Sequence, residues 1–115
     1  MMRKQDKKQE RAIVSSLTRA CEEWLEALPG FEWLTHTVDY RHFPDSLMVT
    51  LIFTTPQTMQ DARSTQYTAI VKRIQQALGD AGVSLHHPER HVLFDNEVDC
   101  ERQHQGNWAA RLATH

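Results

Sequence analysis

Long apolar runs are missing from this chain of 115 residues. The longest, Leu47 to Phe53, falls far short of the ~20 residues that cross a bilayer as a helix, so the sequence holds no transmembrane helix. Cysteine is scarce: Cys21 and Cys100 are the two in the chain. Most of the sequence separates them, unlike the dense disulfide framework of a small secreted domain. An excess of one charge is missing as well. Thirteen Lys plus Arg against fifteen Asp plus Glu leave a formal charge of −2, which gives no general attraction for phosphate backbones or anionic lipid. The N-terminus is charged and has no apolar h-region and no small-residue cleavage site. The expectation is a cytoplasmic protein with reduced thiols, no signal peptide and no membrane partner. No linker, repeat or low-complexity tract divides the chain, so residues 1–115 read as one domain.

What charge there is lies unevenly. Arg3, Lys4, Lys7, Lys8 and Arg11 outweigh Asp6 and Glu10 at the front. Residues 1–10 read as a basic arm that frays, and these five cations are the candidate contacts to nucleic acid or an acidic partner. Ile13, Val14, Leu17, Cys21, Trp24, Leu25 and Leu28 then recur at three- and four-residue spacing, which predicts a helix over about 5–28, ended by Pro29-Gly30. Phe31 to Tyr40 and Ser46 to Phe53 are rich in β-branched and aromatic residues and read as an antiparallel hairpin. The Pro44-Asp45 pair suits a type I turn between them. In the second strand Leu47, Val49, Leu51 and Phe53 form the expected core face. Met48 and Ile52 point the other way, toward a second chain or a later helix.

Thr55-Pro56 opens a helix that runs to about Leu78, with Tyr67, Ile70, Val71, Ile74 and Leu78 inward and a polar front half that reads alternatively as a separate turn or a frayed, partner-facing segment. Val83 to Leu85 is a short extended piece, and His91 to Asp95 is a third strand. Asn96 caps a last helix, interrupted at Gly106-Asn107 before an apolar turn of Trp108, Ala109 and Leu112. The order α-β-β-α-β-α predicts an α+β domain, a three-stranded sheet packed on helices. Its modest core favours a homodimer that covers extra surface. Trp24 is expected in the core. Trp33 and Phe43, with Met48 and Ile52, are the expected interface residues.

Chemistry is thinly marked. His86, His87 and His91 lie close in sequence, and Cys100 and His104 stand one helical turn apart, so these five are the candidate metal ligands. No Cys-x-x-Cys or His-Glu-x-x-His motif accompanies them. Gly-x-Ser-x-Gly, phosphate-loop and dinucleotide motifs are absent, so no catalytic residue and no cofactor are expected. His36, with Asp39 and His42, is the one polar cluster that suits acid–base work. Gly79-Asp80-Ala81-Gly82 has the Gly-x-x-Gly form of KH domains, and the helix–hairpin–helix–strand order is similar to type II KH and BolA-like proteins. A working loop of that kind is followed by a helix and flanked by basic side chains, whereas Val83 to Pro88 reads as extended and the loop holds Asp80, so a helix cap explains both glycines.

Pro29-Gly30-Phe31-Glu32-Trp33-Leu34-Thr35-His36, Tyr40, Phe43-Pro44, Ser46-Leu47, and then Arg102-Gln103-His104 with Trp108 and Leu112 carry a resemblance. Over nearly its whole length the chain resembles a small family of bacterial proteins of similar size, with no established activity, often labelled Fis-family transcriptional regulators. The resemblance implies no catalytic residues. A Fis-type reader needs a second helix that brings basic side chains into the major groove. Here Glu97, Asp99 and Glu101 precede Arg102 and Arg111. The expected function is therefore a non-enzymatic protein-interaction module, homodimeric and with a protein partner. The alternatives are a nucleic-acid-linked regulator using the basic front and a metal-binding protein using the His/Cys set.

Overall fold

The computed structural model describes residues 3–114. The first helix, α1 (Lys4–Ala27), forms where the apolar spacing requires it and buries Ile13, Leu17, Ala20 and Trp24. Val14 and Leu25 depart from expectation and stay 46% and 54% exposed. At about 100° per residue the buried arc centres on Leu17 and Ala20, and these two side chains fall beyond its edge. The helix starts at Lys4 and so takes in most of the basic front. Met1 and Met2 of that arm lie outside the described residues. Gly30 ends the turn after α1 with φ +75, and a side chain there would run into Thr58.

Strands β1 (Phe31–Thr37) and β2 (Met48–Phe53) pair antiparallel, with Trp33 opposite Ile52, Leu34 opposite Leu51 and Thr37 opposite Met48. The connection between them holds a 3₁₀ turn at Tyr40–His42 and a cis Phe43–Pro44 bond. It closes with the Leu47 N–H donating to the Pro44 carbonyl at 3.0 Å, rather than through the simple Pro-Asp turn expected. Strand β3 (Val92–Asn96) joins β2 in parallel, giving the mixed order β1-β2-β3.

The segment from Thr55 to Leu78 divides, with its polar front half a helix of its own. Helix α2 (Pro56–Thr65) is opened by a capping box in which Thr55 accepts from the Thr58 N–H. Helix α3 (Tyr67–Asp80) follows after Gln66 leaves helical geometry. The two pack on different targets, α2 against β2 and β3 and α3 against α1, so one straight axis cannot serve both. Tyr67, expected inward, stays exposed beside the Phe94 ring. Val83 and Leu85 are buried but lie outside the sheet. The last helix is likewise divided, into α4 (Glu97–His104) and α5 (Trp108–Leu112), each capped by an asparagine side chain. The architecture is a single α+β domain with helices on both faces of the sheet.

On one face Val49, Leu51 and Phe53 meet Ile13, Leu17, Ile70 and Ile74 in the dry core. The opposite face carries Thr50 and Ile52, flanked in register by Trp33 and Asp95. Helix α5 lies over that end, since Trp108 packs on Trp33 and Arg111 pairs with Asp95.

Candidate functional site

Three regions gather polar or open surface. The first joins α1 to β1. The His36 Nε2 lies 2.8 Å from both Glu10 carboxylate oxygens, and the Tyr40 hydroxyl donates to Glu10 Oε1 at 3.0 Å. The strand presents His36 on the α1 side, opposite Val49, and the 3₁₀ turn brings Tyr40 back over the same carboxylate. Burial, and then the Glu10 carboxylate, push the Tyr40 hydroxyl far above its ordinary range, so it stays protonated as a donor. A carboxylate that orients an imidazole is the positioning half of an acid–base pair. The surrounding groove, of about 1120 Å³, is wide, and both signs of charge line it through Arg3, Asp6, Asp39 and Arg41. Asp39 is itself held by the Arg41 side chain and backbone, which keep its carboxyl well below the usual range. His42, the third member of the expected cluster, is exposed and reaches Asp39 at 3.4 Å, away from His36.

The second region is the polar clasp under α4 and α5. Arg111 grips Asp95 with two bonds of 2.6 and 2.9 Å, and further donates to the Asp99 carbonyl, Gln103 Oε1 and His104 Nδ1. Bonding to Asp95 pushes the guanidinium pKa up, against the opposing effect of burial. Glu97 accepts the indole N–H of Trp33 at 2.8 Å and of Trp108 at 3.1 Å, with the two rings edge to face. These groups hold α5 on the sheet. Arg111, one of two cations available for a C-terminal DNA contact, is consumed inside the fold.

The third region is what the clasp leaves uncovered. Beyond Ile52 and Asp95 the second sheet face opens into a groove of about 430 Å³ lined by Thr37, Met48, Thr50, Leu93 and Leu112, with Asp45 and Ser46 at its rim. Ser46 is already paired with the Asp39 backbone, so Asp45 supplies the rim's exposed charge.

Of the expected metal ligands, His86, His87 and His91 line one cleft together with Arg90, and Cys100 and His104 are not in its lining. Among the described residues, no group of three or more His, Cys, Asp or Glu is placed to hold a metal ion. His86 and His87 are exposed on the loop before β3, and His91 is buried with its Nδ1–H donating to the Leu47 carbonyl at 2.6 Å. Cys100, on the inward side of α4, is fully buried, and desolvation pushes its thiol up and disfavours the thiolate a metal needs. The His104 Nδ1 lone pair faces Arg111.

Of the expected interface residues, Ile52 is 0% exposed, sealed between Trp33, Asp95 and the helix above them, and cannot meet a second chain. Trp33 is half-buried against Trp108, and Phe43 is half-buried and stacked on Tyr40. Met48 alone of the four lines the groove. The Gly79–Gly82 segment closes α3, with the Val83 N–H donating to the Leu78 carbonyl, and no helix follows it to cradle a phosphate. Arg3, Lys4, Lys7, Lys8 and Arg11 are exposed.

Sequence reasoning missed Glu10, Tyr40, Glu97 and Arg111 as members of polar sites. Comparison with protein-family models, with curated proteins and with solved structures found no match.

Proposed function

We propose that this chain is a cytoplasmic, non-enzymatic protein-interaction module that acts as a homodimer and seats an apolar side chain of a protein partner in the groove on the second sheet face. The observation that carries the reading is the half-finished lid. Helix α5 covers Trp33, Ile52 and Asp95, while Met48, Leu93 and Leu112 remain half-exposed around a concave floor. A few aliphatic walls around one rim carboxylate suit an apolar anchor next to a basic residue or a free N–H. The Glu10–His36–Tyr40 cluster supports acid–base work less well. Its donors and acceptors are turned on one another, and the groove around it is broad.

A nucleic-acid role for the basic front has a charge problem. Lys4, Lys8 and Arg11 share one flank of α1 with Glu22 and Glu26, so a phosphate strand following the helix would pass from attraction into repulsion.

The test places a photo-cross-linking amino acid at Met48 and, as control, at exposed Gln75 on α3, in cells that make the full chain. A discrete protein adduct at position 48, absent at 75 and lost when Thr37→Arg blocks the groove, supports the reading. Adducts to nucleic acid, equal adducts at both positions, or none at 48 overturn it.

A further inference from the structure

Helix α1 carries two stripes. One, through Ile13, Leu17, Ala20 and Trp24, is spent in the core. The other is Lys7, Arg11, Val14, Thr18, Cys21 and Leu25, whose spacing of four, three, four, three, four residues is that of a coiled-coil seam. Cys21 is half-buried, and the rest of this second stripe is exposed to solvent. Val14 and Leu25 are two of the four large apolar residues that the described chain leaves exposed, and they stand on this one helix face. On a helix of 24 residues, about 36 Å at ~1.5 Å per residue, the seam is thus apolar over its rear half, from Val14 to Leu25, and cationic at its front through Lys7 and Arg11.

The charges beside that seam say what covers it. Lys4 and Lys8 flank its front half, with Arg11 at the seam's edge toward them, and Glu22 and Glu26 flank its rear half on the same side. We infer that the seam binds the same seam of a second copy, with the two α1 helices antiparallel. A two-fold axis near the helix midpoint sets Val14 against Thr18 of the other copy and Lys7 against Leu25. It brings Lys8 and Arg11 of each copy beside Glu22 and Glu26 of the other. A parallel pair would set Lys7 against Lys7 and Arg11 against Arg11 in the seam and would turn the Lys8 and Glu22 flanks of the two copies to opposite sides, so charge selects the antiparallel arrangement. Glu23 takes no part, because it is bound to Arg73 of α3 with both contacts at 2.9 Å.

With two large apolar side chains per copy the interface is small, below the ~1,200 Å² of standard specific contacts, and it relies on its charges. The dimer is therefore concentration-dependent and weakens with salt. This inference rests on the homodimer reading above and assigns its surface.

Sedimentation equilibrium of the full chain tests it at low and at molar salt. The expected result is a dimer at low salt that Leu25→Lys weakens by about tenfold or more, as does the pair Glu22→Lys with Glu26→Lys. All of these positions are exposed, and a far-ultraviolet melt confirms that each variant folds. Adding Lys8→Glu and Arg11→Glu to the glutamate reversals restores antiparallel complementarity, and dimerisation should return. A strict monomer at every concentration overturns both the seam and the homodimer. A dimer that ignores Leu25→Lys and the glutamate reversals overturns the seam alone. A dimer that the reversals break but the fourfold exchange does not restore overturns the antiparallel pairing.

Discussion

On the α1 and α3 side of the sheet, Val49, Leu51 and Phe53 disappear under aliphatic side chains with no exposed remainder. On the α4 and α5 side, closure depends on one guanidinium, one carboxylate shared by two indoles, and an Ile52 caught beneath them. Apolar burial has no direction, so the first face closes wherever side chains reach. Hydrogen bonds and ion pairs close only where donors and acceptors meet, and the second face stays open beyond them. A helix of five residues could not hold itself on the sheet by propensity, which is why its attachment is polar and specific. The difference places stability on one face and leaves accessible surface on the other.

The comparison breaks if truncating the dry face is not the most damaging change. Phe53, fully buried and packed on Phe31 and Phe94, should cost about 4 kcal/mol as Phe53→Ala in urea unfolding. Next comes Arg111→Met, which takes the gripping guanidinium from the buried Asp95 carboxylate and should cost about 3 kcal/mol. The double variant Asp95→Leu with Arg111→Met should recover part of that loss, because a desolvated pair roughly offsets its own attraction, while the Asn96 N–H that Asp95 accepts loses its partner. A single Arg111→Met no worse than an exposed substitution would show that the clasp does not hold the lid.

Glu97→Gln sharpens the contrast at smaller scale. One amide oxygen replaces two charged acceptors, so one indole N–H loses its partner at a cost of about 1 kcal/mol. The readout is local. Trp33 and Trp108 fluorescence should change while Trp24, buried on the other face, reports an unaltered core. Equal disturbance of all three would mean that the faces are not separable.

Legibility followed the same division. Helix α1, the hairpin and β3 were readable because burial imposes periods of 3.6 and 2 on the residues that meet the core. The break at Gln66 was not, since it is set by where α2 and α3 dock rather than by Gly or Pro at that point. Val14 and Leu25 fit the apolar period yet stayed outside, because the sequence does not state how wide an arc of α1 is covered. The polar sites were hidden for a different reason. Glu10 and His36 are 26 residues apart, and no local spacing links them. Arg111 did leave a signal: it stands inside an apolar turn between Trp108 and Leu112, where a charge with no surface to reach needs a buried partner.

The smallest expected effect belongs to the Glu23–Arg73 pair, which ties α1 to α3 at the rim of the dry face. Hydrogen bonding to Arg73 holds the Glu23 carboxyl below its ordinary value. A carboxyl whose pKa is lowered by folding stabilises the protein above its unfolded value of about 4.5, and that contribution fades as acid protonates it. Glu23 is exposed, so solvent and salt screen the attraction. Glu23→Gln should therefore shift the urea midpoint slightly downward at neutral pH and low salt, and not at all in molar salt or well below pH 4. A shift approaching that of Arg111→Met would mean that α1 is clasped to its face by charge as α5 is, and the division between an apolar and a polar face would have to be abandoned.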